Sequence, residues 1–339
     1  MDTKTLELLH QLAPDLMDRM MLRALVLERI AALAPVGRRA LAQRLHMPER
    51  EIRSICDALK ADGLISAAAS GMMPTDRANA LLSGVREMTR RKSALSQNEQ
   101  YIARSLGVGR VCIVQGNAEE SEQVLREVGR VTAEHLTHLL ADGMVLTVSG
   151  GEVVAATADA MNGVRVNVRV LPARGGSNAP AEWQAGTLAV RFAKALEGSY
   201  SLIHLPDGLP AEALKELLRL DEVSELTRWL QQTDVLFYEI GRAGDLPKRL
   251  FFSQAELGYL VNSGASGEAA GCCFDAQGRA VYQCGGIGLS AEQIAQVRCV
   301  AAVGVGADRA KAIESVLRHH RHELLVLDES AAKALEKLL

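Results

Sequence analysis

The residues of this chain that could do chemistry fall into two glycine-rich loops and one arginine-bearing pair of helices. In Leu146-Thr147-Val148-Ser149-Gly150-Gly151-Glu152-Val153 a strand-forming run meets two glycines and then a helix-forming run. Glycines let backbone N–H groups come close to a ligand, and the first turn of a helix leaves its donors exposed, so this loop suits a phosphate. Leu171-Pro172-Ala173-Arg174-Gly175-Gly176 is a second glycine-rich strand end and adds a fixed cation. In open α/β sheets ligands sit beyond the carboxyl ends of the strands, where both loops would converge. Each loop alone is equally compatible with an ordinary tight turn.

Enzyme motifs fail on inspection. The nucleophile-elbow pattern around Ser149 has Thr147 in place of its first glycine, and the one around Ser266 has Glu268 in place of its last. Gly304-Val305-Gly306-Ala307-Asp308-Arg309 departs from the dinucleotide fingerprint at Arg309, a residue that fits a phosphate or sugar ligand better than a tight pyrophosphate turn. His135 and His138 lack a carboxylate partner for a metal, and His319, His320 and His322 are expected to be solvated at a helix end. No catalytic residue, metal or cofactor is expected.

The second candidate is Arg38 to Ala61. A short helix from Arg38 to Leu45, a turn at His46-Met47-Pro48 and a second helix ending at Gly63 have helix-turn-helix spacing. Ile52, Ile55, Cys56 and Leu59 fall on one face at i, i+3, i+4 and i+7, while Arg50, Arg53, Ser54 and Asp57 fall on the other. Arginine can pair bidentately with guanine or phosphate, and Arg38, Arg39 and Arg44 suit the phosphate contacts that set register. From Gly37 to Lys60 six basic residues face three acidic ones, although the whole chain carries a net charge of −3. The same charges would also make the solvated face of a small helical bundle.

These motifs need elements to hold them. At 339 residues, 48% hydrophobic and 23% charged, the chain has the length of two domains and the composition of a globular protein. A helical run from Thr3 to Leu33, broken at Pro14, precedes the helix pair; a short hairpin over Leu64–Ser66 and Gly71–Pro74 follows it, then a charged helical stretch from Thr75 to Leu106 containing Arg86, Arg90, Arg91 and Lys92. The domain boundary is placed at 94/95. Strands are expected at Arg110–Val114, Val145–Val148, Val164–Leu171, Tyr200–Leu205, Val235–Ile240, Cys299–Val303 and Leu324–Leu327, alternating with helices at Glu120–Leu140, Glu152–Met161, Ala181–Leu196 and Ala307–Leu317. Such alternation predicts an α/β fold with a mostly parallel sheet, interrupted by a hairpin over Ala270–Phe274 and Ala280–Cys284. Six cysteines without a zinc spacing read as buried thiols, and no apolar run approaches the ~18 residues of a membrane span, so a cytoplasmic protein is expected.

With these residues in view, Gln11-Leu12-Ala13-Pro14-Asp15-Leu16, Pro35-Val36-Gly37-Arg38-Arg39-Ala40-Leu41, Pro172-Ala173-Arg174-Gly175-Gly176 and Asp328-Glu329-Ser330-Ala331-Ala332-Lys333 resemble the SorC family of bacterial sugar-responsive transcription regulators, over nearly the whole chain. The resemblance implies a winged helix-turn-helix (1–94) joined to a Rossmann-like effector and oligomerisation domain (95–339) related to sugar-phosphate isomerases and deaminases. It implies a repressor of glycolytic genes that binds double-stranded operator DNA as a homodimer or tetramer and is released or remodelled by fructose 1,6-bisphosphate or a related phosphorylated sugar.

Carried over by position, Gly150, Gly151, Glu152 and Val153 would form one phosphate loop, with Arg174, Gln184, Arg249, Glu268 and Arg309 around the ligand. The family pattern has hydroxyl residues where Glu152 and Val153 stand and a second base at Leu250. A carboxylate ~5 Å from a phosphate charge opposes binding by roughly 3 kcal/mol at an effective dielectric near 20, so a sugar phosphate is the firmer expectation than fructose bisphosphate itself. Two other functions remain open: an isomerase or deaminase using Glu268, and a constitutive DNA-binding protein whose second domain only oligomerises.

Overall fold

The structure is a computed structural model that describes residues 14–339 apart from 46, 69, 92–93, 162–164 and 251. The expected helix before Pro14, the turn residue His46 and the side chains of the Arg86–Lys92 cluster lie outside the described residues. The chain divides into two compact units, 1–97 and 98–339, with the division falling inside the helix Ala94–Leu106. No described helix is long and apolar enough to cross a membrane.

In the first unit helices Pro14–Leu33, Arg38–Leu45 and Glu49–Ala61 precede strands β1 (Ile65–Ala68) and β2 (Gly71–Pro74), and helix Asp76–Arg91 follows. Ile52, Ile55, Cys56 and Leu59 are buried against Val26, Ile30 and Leu41, as their spacing predicts. Glu49–Ala61 ends because Gly63 adopts φ +69°, which lets the Gly63 and Leu64 amides donate to Lys60 O and Leu59 O at 3.0 and 2.9 Å. Pro48 lies just ahead of the helix as its N-cap. The hairpin extends through Ala67 and Ala68, poor strand formers, because its ladder closes at Ala68 opposite Gly71. Val36 and Met72 exchange both backbone bonds, at 3.1 and 2.9 Å, so the turn before Arg38 is tied to the outer side of β2 by an isolated bridge.

The second unit is built on β3 (Arg110–Val114), β4 (Val145–Val148), β5 (Arg169–Pro172), β6 (Ser199–Tyr200), β7 (Val235–Glu239), β8 (Gly241–Arg242), β9 (Ala265–Ala269), β10 (Cys272–Asp275), β11 (Ala280–Gln283), β12 (Cys299–Gly304) and β13 (Leu324–Asp328). Seven of them form a parallel sheet in the order β3-β13-β12-β7-β4-β5-β6. The chain winds outward from β4 through β5 to β6, then returns to the centre at β7 and proceeds the other way through β12. The crevice beyond the ends of β4 and β7 is therefore the switch point of the sheet. Near-continuous apolar strands fit a sheet covered on both faces, with Leu146, Val148, Phe237 and Val303 buried. Helix Glu122–Thr137 lies close on helix Glu152–Ala160 because position 129 is glycine: a Cβ there would stand 2.5 Å from the Ala156 carbonyl carbon.

Several expected elements are shorter or divided. β6 stops after Tyr200 although an extended run to Leu205 was expected, since its neighbour β5 ends in Pro172, which has no N–H to continue the ladder. Val164, the first residue of the expected strand, lies outside the described residues; the strand itself runs from Arg169, where pairing with Val145 starts. Residues Ala181–Leu196 form a short turn, Ala181–Trp183, and a separate helix, Ala185–Ala195, because the Trp183 carbonyl accepts from Gly151 N at 3.0 Å instead of continuing the helix. The expected hairpin is present as β10 and β11, and belongs to a four-stranded antiparallel sheet in the order β11-β10-β9-β8.

The three histidines are not solvated as expected. His322 is 1% exposed with Nε2 2.5 Å from the Tyr238 hydroxyl, and it stacks on His320 at 4.3 Å between ring centroids. Burial lowers His320 to about 4 and also drives His322 well down from its ordinary value, because a buried imidazolium loses hydration. The sequence gives no period for this cluster, since its partner Tyr238 lies on the central strand. Of the six cysteines, five are buried and Cys299 is half-buried.

Candidate functional site

Beyond the carboxyl ends of β4, β5 and β7 lies a cavity of about 130 Å³ lined by Gly150, Gly151, Arg174, Arg249 and Glu268, together with Ser149, Asp207 and Glu239. Five residues expected from sequence thus meet in one place. A second cavity of about 410 Å³, lined by Asn178 and His204 among others, shares Ser177, Asp207, Arg249 and Leu250 with the first.

The Gly150-Gly151 loop is close-packed for a local reason. A Cβ at Gly150 would stand 2.6 Å from Trp183 O, and Gly151 takes φ +138° with its Cα against the Glu239 carboxylate. Gly151 is the N-cap of helix Glu152–Ala160, whose Val153 amide donates to Glu239 Oε2 at 3.1 Å. Val153 itself is 1% exposed, so its side chain belongs to the core and only its backbone faces this loop. Glu152 is exposed at the edge, its carboxyl raised by partial burial and by the neighbouring Glu239, with Arg309 opposing. Gln184 does not join the lining; its amide nitrogen donates to Ala179 O at 3.2 Å.

Each arginine is already committed. Arg174 is 8% exposed, bonds Asp207 at 2.9 Å and donates Nη2 to Cys284 O and Gly285 O at 2.9 and 3.0 Å. Its Nη1 is buried without a hydrogen-bond partner among the described residues, packed between Gly271 and Gly288. Gly271 permits this packing, since a Cβ there would collide with the guanidinium. Arg249 holds Glu268 Oε2 at 2.6 Å, while Glu268 Oε1 accepts from Gly271 N at 2.8 Å. Arg309 reaches the site through Glu239, its Nη1 2.6 Å from Oε1.

Glu239 and Asp207 were missed in the sequence. Glu239 had a signal, since it lies next to the end of the predicted strand Val235–Ile240, where ligand-binding residues are expected, and is the last residue of β7. Asp207 had none, lying in an irregular loop that only the fold brings beneath Arg174. Glu268, the glutamate that the isomerase or deaminase alternative would use, has both carboxylate oxygens engaged. Among the described residues no cluster of three metal-binding side chains occurs.

The second candidate surface lies on helix Glu49–Ala61. Arg50, Arg53 and Ser54 are exposed along one face. Arg38 is bound to Asp57 at 2.7 Å, and Arg39 and Arg53 approach Glu49 at 3.6 and 3.5 Å. Arg50 has no side-chain partner among the described residues, so it is the arginine on this face least committed to its own helix.

Residues 90–336 match the family described as a sugar-binding domain, and residues 20–89 match the CggR N-terminal DNA binding domain. The chain is 30% identical over 333 residues to the central glycolytic genes regulator of Priestia megaterium, covering 97% of each. It is 29% identical over 327 residues to the protein of the same name in Bacillus subtilis, covering 96% of each. Among solved structures it is similar to a SorC family transcriptional regulator from Enterococcus faecalis, at 27% identity and TM-score 0.65 over 71% of this chain and 99% of that one. The full-length sorbitol operon regulator SorC from Klebsiella pneumoniae shares the fold at 16% identity and TM-score 0.64, over 93% and 98% of the two chains. A DNA-binding domain followed by an α/β sugar-binding domain is the architecture expected from sequence.

Proposed function

The chain belongs to the SorC family of sugar-responsive transcription regulators, and on that premise we propose that it represses glycolytic genes and senses a phosphorylated sugar in the cavity beyond β4 and β7. One observation supports the sensing half: Arg174, whose buried Nη1 has no hydrogen-bond partner among the described residues, lines a cavity together with Arg249 and the Gly150-Gly151 turn. A buried donor without an acceptor costs about 1–3 kcal/mol, so a small shift of the guanidinium toward an anionic or hydroxyl-bearing ligand would be favoured. Gly150, Gly151, Arg174, Arg249 and Glu268 are its contacts in this reading, with Arg309 and Glu152 at the edge and Gln184 holding the loop Ala179–Trp183.

On the DNA side, Arg50, Arg53 and Ser54 read the major groove or its phosphates, and Arg38 and Arg39 set register once operator phosphates compete with Asp57 and Glu49. The relatives are regulators, and this chain is a regulator rather than an isomerase or deaminase. Operator binding by dimers or tetramers in the cytoplasm follows from the same family reading.

A thermal-shift panel of sugar phosphates on the purified chain tests the sensing half. Ligand at about 100 times Kd stabilises by about 2.7 kcal/mol, a shift of several degrees for a unit of this size. A flat response to every member would leave the second unit as an oligomerisation domain.

A further inference from the structure

Arg50, Arg53, Ser54 and Asp57 stand at i, i+3, i+4 and i+7 of helix Glu49–Ala61 and are all exposed. They form one stripe, opposite the buried Ile52, Ile55, Cys56 and Leu59. A helix lying in the major groove turns such a stripe towards the base edges. Three of its members suit phosphates or several kinds of base edge. Asp57 does not, because a carboxylate only accepts hydrogen bonds and the flanking phosphates repel it. It is nevertheless held in place. Arg38, on the preceding helix, donates Nη2 to Asp57 Oδ1 at 2.7 Å, and the Asp57 side chain stays 57% exposed. Among the described residues Asp57 Oδ2 has no hydrogen-bond partner. An ion pair this exposed contributes little to stability, so folding gives small reason for an acid here. A guanidinium carries several N–H donors, so Arg38 can keep this bond while others meet a phosphate.

Resting on the DNA-reading face proposed above, we infer that Asp57 is a specificity-determining residue of that face: its free carboxylate oxygen accepts from the amino group of a cytosine. Arg38 is the positioning residue that aims it. The choice of base follows from the major-groove edges. Guanine shows two acceptors there, adenine an acceptor beside its amino group, and thymine an acceptor beside a methyl. Cytosine alone shows an amino donor with no acceptor of its own. At any other base the charge goes unanswered, so Asp57 discriminates by repulsion as well as by attraction.

Selection of duplexes from a random pool by the full chain, repeated with Asp57→Ala, Asp57→Asn and Arg38→Gln, tests this role. At one position of the recovered site the parent should favour cytosine about tenfold or more, the scale of one good base contact. Asp57→Ala should lose that preference alone, and its affinity for unrelated duplex should rise about threefold or more as a like charge leaves the phosphates. Asp57→Asn should change the preferred base at the same position to adenine, whose N6 and N7 an amide pairs bidentately. Misfolding cannot produce that change. Arg38→Gln should relax the same position, which loss of a phosphate contact by itself would not do. Identical base preferences in the parent and Asp57→Ala overturn the role of Asp57 and leave the face of Arg50 and Arg53 intact; so does a relaxed position at which the parent prefers another base. Failure of the parent to enrich any sequence removes the DNA-reading face, and the role of Asp57 with it.

Discussion

Replacing Arg174 with Met removes half of the ion pair whose two side chains are the most buried among the described pairs, at 9% and 5% exposure. Asp207 would keep one bond, from Gly175 N at 3.1 Å, and lose its counter-charge. The carbonyls of Cys284 and Gly285 would lose their donor as well. Breaking one side of a buried pair destabilises by about 3–5 kcal/mol, because the remaining charge is stranded. For a unit of this size about 2–4 °C accompanies each kcal/mol, so the melting temperature should fall by about 6–20 °C. Scanning calorimetry on Arg174→Met, Asp207→Asn and the double variant gives the test, with the double variant more stable than Arg174→Met alone. Burial already pushes the Asp207 carboxyl above the ordinary range despite Arg174, so the stranded carboxylate will take a proton readily. A raised folded pKa loses stability as pH rises, so the destabilisation should be smaller at pH 5 than at pH 8. A melting temperature within 2 °C of the parent's, expected only if the pair adds nothing, would refute this reasoning.

Arg50→Ala combined with Arg53→Ala should weaken operator binding in gel shifts and reduce its salt dependence by about one unit of slope per lost phosphate contact, leaving sugar-phosphate thermal shifts unchanged; unchanged operator affinity would reject this face. The buried histidines predict acid sensitivity: folded pKa values depressed from the ordinary value near 6.5 give stability that is present above that value and lost as pH falls towards about 4. Each proton taken up on unfolding contributes about 1.4 kcal/mol per pH unit, and His322→Gln with His320→Gln should flatten urea midpoints between pH 6.5 and 5. Burial pushes Cys272 and Cys284 up to about 12 and Cys299 to about 11, so thiol labelling at pH 8 should be slow in the folded chain and fast in denaturant.

What could be read from the chain was what local pattern dictates. The 3.6-residue period separated Ile52 and Leu59 from Arg50 and Arg53, the β-branched runs marked the central strands, and the glycine pairs marked strand ends. What could not be read depends on partners far along the sequence. Glu239 becomes part of the site because β7 returns to the middle of the sheet, and Asp207 because an irregular loop passes under Arg174. His322, just ahead of β13, is buried because Tyr238 stands beside it on β7. The splitting of Ala181–Leu196 has the same origin, since nothing near Trp183 signals that its carbonyl is taken by Gly151. The positions departing from the family pattern, Glu152 and Val153, were visible as departures; that Val153 serves the core and that Glu239 fills the anion position needed the fold.

For the protein to act as a sugar-responsive regulator, occupancy of the cavity must change the grip on DNA, and linkage makes that measurable. Operator affinity should be titrated by fluorescence anisotropy at one salt concentration, with and without the sugar phosphate that stabilises the chain most. A coupling of about 1–3 kcal/mol, or 5–150-fold in affinity, is predicted, and it should vanish in Arg249→Ala while operator binding without ligand persists. Identical operator affinity at saturating ligand would contradict it.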